Sequence, residues 1–128
     1  GKLAVIHNGI IENYTELRTQ LEAKGHKFSS ETDTESVAHL LSDLRKEHGG
    51  DLTTAMRAAV KRLRGSFTLL AIHADAPETI VGVRRNSPLV AGIGQGENFL
   101  ASVSILYIHL QFLHHQILCS FQYQDYIH

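Results

Sequence analysis

A short apolar run that stops at Asn8-Gly9 constrains the fold of this chain more than any other feature. Residues 3–6 have the composition of a strand, and Asn and Gly both tolerate positive φ, which favours a tight turn. A helical pattern starts almost at once, since four residues share one helical face: Ile10, Tyr14, Leu17 and Leu21. We therefore predict a strand, a tight turn and a helix in quick succession.

The same turn has a chemical interpretation. A strand that runs through Asn-Gly into a helix presents the Asn8 side-chain amide and the Gly9 backbone N–H at the edge of a sheet. An oxyanion hole needs two such donors when a carbonyl carbon becomes tetrahedral. The alternative is that the pair is only a turn, and for an isolated Asn-Gly pair that alternative is the better one.

Capping and stop residues predict three helices. The first begins at a capping box in which Asn13 is the cap and Glu16 reaches back, and it runs to about Lys24, where Gly25 ends it. The capping box places this helix directly after the Asn-Gly turn.

The second helix begins at another capping signature, residues 32–35, and ends at residues 48–50. Asp51 caps the third helix, which Gly65 terminates. Apolar residues at helical spacing predict the side chains that these two helices bury: Val37, Leu40, Leu41, Leu44, Leu52, Ala55, Met56, Ala59, Val60 and Leu63.

A change from helical to strand pattern follows. The predicted strands are residues 66–74, 79–84, 89–93 and 99–101, with turns at 75–78 and 86–88. Helices that precede a run of antiparallel-looking strands predict an α+β fold with helices packed on sheet faces.

Composition bounds the class of protein. The 128 residues form one domain or a piece of one, and a net charge of −1 argues against nucleic-acid partners and against an anionic membrane. The single cysteine excludes an internal disulfide framework and fits a reducing cytosol. The chain starts at Gly1 with neither an initiator Met nor a targeting segment, so we expect the native N-terminus to be missing.

Three motifs, in a fixed order, carry a resemblance to a known family. They are HNGIIEN at residues 7–13, SETDTE at 30–35 and SPLV at 87–90. Together they resemble the glutaminase (class II glutamine amidotransferase) domain of the glutamine–fructose-6-phosphate aminotransferases. The resemblance covers residues 1–102. It implies part of an N-terminal nucleophile hydrolase-type α-β-β-α sandwich, in which helices pack on antiparallel sheets.

The resemblance also implies roles for three residues. Asn8 and Gly9 would be the oxyanion donors, and Asp33 would bind the α-ammonium group of glutamine through charge-assisted hydrogen bonds. For an aspartate at the start of a helix, sequence alone favours a capping role instead.

The implied reaction is hydrolysis of the glutamine side-chain amide, which supplies ammonia for making glucosamine 6-phosphate from fructose 6-phosphate. An N-terminal cysteine thiolate would attack, with its own α-amine as base, and ammonia would pass to a sugar-isomerase domain of the same parent chain. No cysteine precedes Cys119, which is internal, so we expect this chain alone to be inactive. The competing class is a non-catalytic α+β binding or interaction module derived from an amidotransferase.

Other ligands are not expected, and a homo-oligomer is left open. The glycines at 92–96 lie between two strands and predict a turn rather than a phosphate loop. His115 and Cys119 are four apart, but two ligands make a poor metal site. Residues 103–119 are at the short limit for a membrane span and carry too many polar residues for one. We therefore predict no cofactor, no metal and no membrane partner.

Residues 103–128 differ in composition from the rest of the chain. All twelve Lys and Arg lie at or before Arg85, and the tail carries Asp125 as its one charged residue. It is apolar on every side when drawn as a helix. We expect an atypical C-terminal tail over residues 103–128 that is non-native and does not belong to the packed domain.

Overall fold

The computed structural model describes residues 2–87, 89–93 and 98–101. The elements of this part are β1 (Leu3–Ile11), α1 (Tyr14–Ala23), α2 (Asp33–Glu47), α3 (Leu52–Arg62), β2 (Gly65–His73), β3 (Ala76–Arg85), β4 (Val90–Ile93) and β5 (Asn98–Ala101). Strands β1, β2 and β3 form one antiparallel sheet in that order, and β4 pairs with β5 in a second sheet. The predicted α+β class is confirmed, and so is the existence of all four strands after the helices.

The prediction for β1 was wrong. The strand does not end at residue 6, and it continues through Asn8-Gly9 to Ile11, paired with β2 along its whole length. Gly9 does adopt a positive φ of 102°, as expected, but it does so inside the ladder. A side chain there would collide with β2, because a Cβ on Gly9 would lie 2.2 Å from the carbonyl oxygen of Ser66. Glycine is therefore required by the close approach of two strands and not by a turn.

The first helix starts directly after Asn13, as predicted, but its predicted apolar face includes a residue of β1. Helix α1 begins at Tyr14 and buries Leu17 and Leu21, as predicted. Ile10 belongs to β1 and is 67% exposed, while Tyr14 is 38% exposed. The predicted apolar face of this helix is thus only half correct.

Two of the three predicted caps were wrong. The Asn13 side chain does not cap α1; it donates to the carbonyl oxygen of Arg62 and accepts from the N–H of Arg64, both at 2.8 Å. Thr32 makes no side-chain capping bond either. Asp51 caps α3 as predicted, accepting from the backbone N–H groups of the second and third residues after it.

The helices cover one face of the three-stranded sheet. Every side chain predicted to be buried by the second and third helices is buried. These side chains pack against alternate residues of the strands, which include Ile11, Phe67, Leu69, Ala71, Val81 and Val83. The opposite face is also apolar and includes Ile6, which is 46% exposed. One helical layer on an antiparallel sheet is what the α+β prediction requires.

Several predictions lie outside the described residues. They concern the loop at 94–97, Pro88, and the tail, including His115 and Cys119. Within the described part, no helix is long and apolar enough to cross a bilayer.

Candidate active site

The first two sequence motifs meet at the second half of β1. Asp33 is the first residue of α2, and its carboxylate lies against the strand. Its Oδ2 accepts a hydrogen bond from the backbone N–H of Ile11 at 3.2 Å, and its Oδ1 lies 3.3 Å from Nδ1 of His7. Because these two contacts flank Asn8 and Gly9 on the chain, Asp33 is fixed beside the segment that carries the predicted oxyanion donors.

His7 is the most buried polar side chain at this junction. Its side chain is only 4% exposed, and Nδ1 lies 3.2 Å from Oγ1 of Thr34 in addition to the contact with Asp33. Nε2 is buried and has no hydrogen-bond partner in the described part of the chain. Burial lowers the pKa of His7 below its ordinary 6.5, although the charge of Asp33 and its hydrogen bond act in the opposite direction.

The third motif approaches from the far side of β2. A surface groove of about 400 Å³ is lined by Asn8, Gly9, Ile10, Glu12, Ser66, Asn86 and Ser87. Ser87 belongs to the SPLV motif, and its Oγ accepts a hydrogen bond from the hydroxyl of Thr68 at 2.9 Å. Thr68 is the cross-strand partner of Asn8. Ser87 of the third motif is therefore linked to Asn8 through Thr68.

The loop before α2 is held by Glu35. Its carboxylate accepts from the backbone N–H groups of Ser29 and Ser30, both at 2.7 Å, and from the hydroxyl of Ser30. The Ser30 hydroxyl and then the Ser29 N–H lower the pKa of Glu35 to about 2. In the capping signature at residues 32–35, the Glu35 carboxylate thus bonds to the loop at Ser29 and Ser30. It fixes the start of α2, which places Asp33 on β1.

Comparison with known proteins decides the family. The chain matches the glutamine amidotransferase domain over residues 1–108. The chain belongs to this family. Strong matches include glutamine–fructose-6-phosphate aminotransferase (isomerizing) of Corynebacterium glutamicum, 61% identical over 103 residues, and that of Thermotoga maritima, 54% identical over 101 residues. These matches cover 80% and 79% of the chain and 16% of each relative, so the chain spans about one sixth of their length.

Solved structures give the same fold. Glutamine phosphoribosylpyrophosphate amidotransferase from B. subtilis, complexed with ADP and GMP, superposes with a TM-score of 0.61 at 29% identity. The match covers 77% of this chain and 21% of that one. The resemblance drawn from the three motifs is thereby confirmed, and with it the N-terminal nucleophile type of α+β fold for this amidotransferase domain.

Two members of this site were not foreseen from the sequence. The His7 side chain and the Ile11 backbone N–H hold the Asp33 carboxylate, and neither is marked by a local pattern. The available signal was the position of His7 directly before Asn8 within the first motif. No trio of His, Cys, Asp and Glu in the described ranges is placed to hold a metal ion.

Proposed function

We propose that this amidotransferase domain contributes part of the glutamine site of an aminotransferase that makes glucosamine 6-phosphate from fructose 6-phosphate and glutamine. The observation that carries the proposal is the Asp33 carboxylate fixed beside the strand segment of Asn8 and Gly9. A site that hydrolyses a glutamine side chain needs one group that binds the α-ammonium and another that acts on the reacting amide. Asp33 is a group of the first kind, and Asn8 and Gly9 are groups of the second kind.

Asp33 has the chemistry and the access for an ammonium ligand. Its side chain is 25% exposed, so it is neither sealed in the core nor fully hydrated. A carboxylate has about four acceptor positions, and the bonds to Ile11 and His7 occupy two of them. The remaining positions can accept charge-assisted hydrogen bonds from a bound ammonium group.

Asn8 and Gly9 supply the donors for the reacting carbonyl. As the amide carbon becomes tetrahedral, negative charge grows on its oxygen, and preorganised donors at that point lower the barrier. Asn8 is half-buried and lines the surface groove, together with Gly9. In this assignment the two residues act on the transition state, whereas Asp33 acts on substrate and transition state alike.

The isolated 128-residue chain is proposed to be inactive. The resemblance implies an N-terminal cysteine nucleophile, and Cys119 is internal and is the single cysteine of this sequence. Oxyanion donors without a nucleophile give only residual rate. Glutamine and a sugar-isomerase domain of the parent chain are the proposed partners, a homo-oligomer is possible, and the cytoplasm is the proposed compartment.

A chimera tests the assignment. Residues 1–102 replace the matching segment of the Corynebacterium glutamicum enzyme, and glutamate release from glutamine is measured. Asn8→Ala should lower kcat by roughly 10²–10³, the usual effect of losing one oxyanion donor. Asp33→Ala should chiefly raise KM for glutamine, because its contact is present in ground and transition states.

Asp51→Ala is the matched control for Asp33→Ala. Both aspartates lie at the start of a helix, but the Asp51 side chain accepts from the first turn of its own helix, whereas the Asp33 side chain accepts from β1. If Asp33→Ala loses stability as Asp51→Ala does and keeps its kinetics, Asp33 is a structural residue. A chimera that folds but never releases glutamate would favour the non-catalytic binding module.

A further inference from the structure

His7 faces the proposed ammonium ligand with Nδ1, and the surroundings of the ring favour a proton on this nitrogen. Its Nδ1 lies 3.3 Å from Asp33 Oδ1. If Nδ1 were bare, the Thr34 hydroxyl at 3.2 Å could donate to it, but its lone pair would also face the Asp33 carboxylate oxygen, and the proton on Nε2 would be a buried donor without a partner in the described structure. The Nδ1–H tautomer can donate to Asp33 or to the Thr34 hydroxyl oxygen, and it leaves on Nε2 a bare acceptor rather than a buried donor.

The ring is also held neutral. A second proton on Nε2 would create a buried, unpaired cationic donor, and burial lowers the pKa of His7 below 6.5. The charged group that faces the ring is Asp33 on α2, while the cross-strand neighbour on β2 is the apolar Leu69. At pH 7 the pair of His7 and Asp33 therefore keeps a net charge of −1.

We propose that His7 is a positioning residue that fixes Asp33 as a carboxylate for the α-ammonium of glutamine without neutralising it. This inference rests on the proposed function of Asp33. A Lys or Arg in the same place would also fix the carboxylate, but it would cancel the charge that attracts an ammonium group. A neutral imidazole supplies the hydrogen bond and leaves the charge available. Acidification that protonates His7 removes that charge, so selectivity for the ammonium group falls.

Imidazole NMR of the full 128-residue chain reads the tautomer directly. With ¹⁵N-labelled histidine, His7 should be neutral at pH 7 and protonated on Nδ1, whereas free histidine prefers the Nε2–H form. Asp33→Asn should change the His7 signals and leave those of His48, an exposed histidine on the far end of α2, unchanged. A His7 that is charged at pH 7, or that carries its proton on Nε2, overturns the proposal without any ligand.

Ligand titration tests the positioning role. L-glutamine and glutaramate, its analogue without the amino group, are compared through the shift of the Ile11 amide. His7→Phe keeps a ring but removes the donor, and should reduce the preference for L-glutamine by about 10- to 100-fold, the range for a hydrogen bond to a charged group. His7→Asn can restore a short N–H donor and should recover part of the preference.

The variants separate this inference from the function on which it rests. Asp33→Ala should abolish the preference for L-glutamine. If it does and His7→Phe leaves the preference unchanged, the positioning role of His7 is refuted and the function of Asp33 stands. If the chain shows no preference that depends on Asp33, the function of Asp33 is refuted, and the tautomer alone decides whether His7 fixes this carboxylate.

Discussion

Replacing Gly9 by Ala should unfold the sheet far more readily than replacing Gly25 by Ala. Both glycines have positive φ, 102° and 96°, so both substitutions force an L-residue into a disfavoured conformation. Their surroundings differ. A Cβ on Gly25 would meet nothing within 4 Å, whereas a Cβ on Gly9 would lie 2.2 Å from the Ser66 carbonyl oxygen and 2.9 Å from Phe67 Cα.

The two costs can be estimated. The backbone term is roughly 1–2 kcal/mol for an L-residue in a left-handed conformation, and it applies to both variants. At Gly9, both close contacts are with backbone atoms that cannot rotate away, so β1 must move by about 1 Å from β2. Overpacking of this kind costs about 1–3 kcal/mol, and each ladder hydrogen bond lost adds about 0.5–1.5 kcal/mol. We expect Gly9→Ala to be about 2–4 kcal/mol more destabilising than Gly25→Ala.

Urea denaturation of the two variants and the unchanged chain, followed by far-ultraviolet circular dichroism, measures this difference. The entropy that Ala removes from the unfolded chain is the same at both sites and cancels. Equal losses of unfolding free energy would refute the close approach of β1 and β2 at Gly9. Because a Gly9 variant also disturbs the pairing of β1 with β2, its kinetics are a poor test of the oxyanion hole. Asn8 variants are the more informative test.

Three further predictions concern stability. The pKa of Glu35, lowered from 4.5 to about 2 chiefly by the Ser30 hydroxyl, should give the fold stability that is present above pH 4.5 and lost as pH falls towards 2. Glu35→Gln should remove that part of the pH dependence of the unfolding free energy. A Glu35 carboxyl that titrates near 4.5 by NMR would contradict the lowered pKa. Asp51→Ala should lower the free energy of unfolding by about 1 kcal/mol, because α3 loses its cap. Hydrogen exchange at the backbone amides of Thr53 and Thr54 should become faster, and unchanged exchange there would argue against the cap. Leu40→Ala should lower the free energy of unfolding, measured by urea denaturation, by about 2–5 kcal/mol, because Leu40 is fully buried. A loss of less than about 1 kcal/mol would show that Leu40 is not part of the core.

Elements with a strong period were predictable from the sequence. Helices α2 and α3 bury the side chains that their spacing indicates, because each lays one apolar stripe on the sheet. The strands after α3 were also predicted, although β3 begins at Ala76, inside the expected turn. In these segments local preference and tertiary packing favour the same structure.

Long-range pairing explains what was missed. The Asn8-Gly9 pair favours a turn locally, but β1 is paired with β2, which lies more than 50 residues later. Asn13 was expected to cap its own helix, and its side chain instead bonds to backbone groups of Arg62 and Arg64. No local pattern records such partners.

The sequence motifs named the residues of the candidate site but did not predict how these residues are arranged. The motifs identified Asn8, Gly9 and Asp33 and gave the family. The contact of Asp33 with His7 and Ile11 depends on where α2 crosses β1, which Glu35 fixes through the loop at residues 29–30. A capping aspartate and a ligand aspartate have the same local sequence, so the sequence alone could not show that Asp33 contacts β1.

A crystal structure of the chimera bound to L-glutamine tests the central claim most directly. The N-terminal cysteine that the family resemblance implies is changed to Ala, so that the substrate is not hydrolysed. The α-ammonium nitrogen should lie within hydrogen-bond distance of an Asp33 carboxylate oxygen, and the side-chain carbonyl oxygen should face the Asn8 amide and the Gly9 N–H. A glutamine whose ammonium group contacts other residues, or whose side-chain amide points away from Asn8 and Gly9, would contradict the assignment.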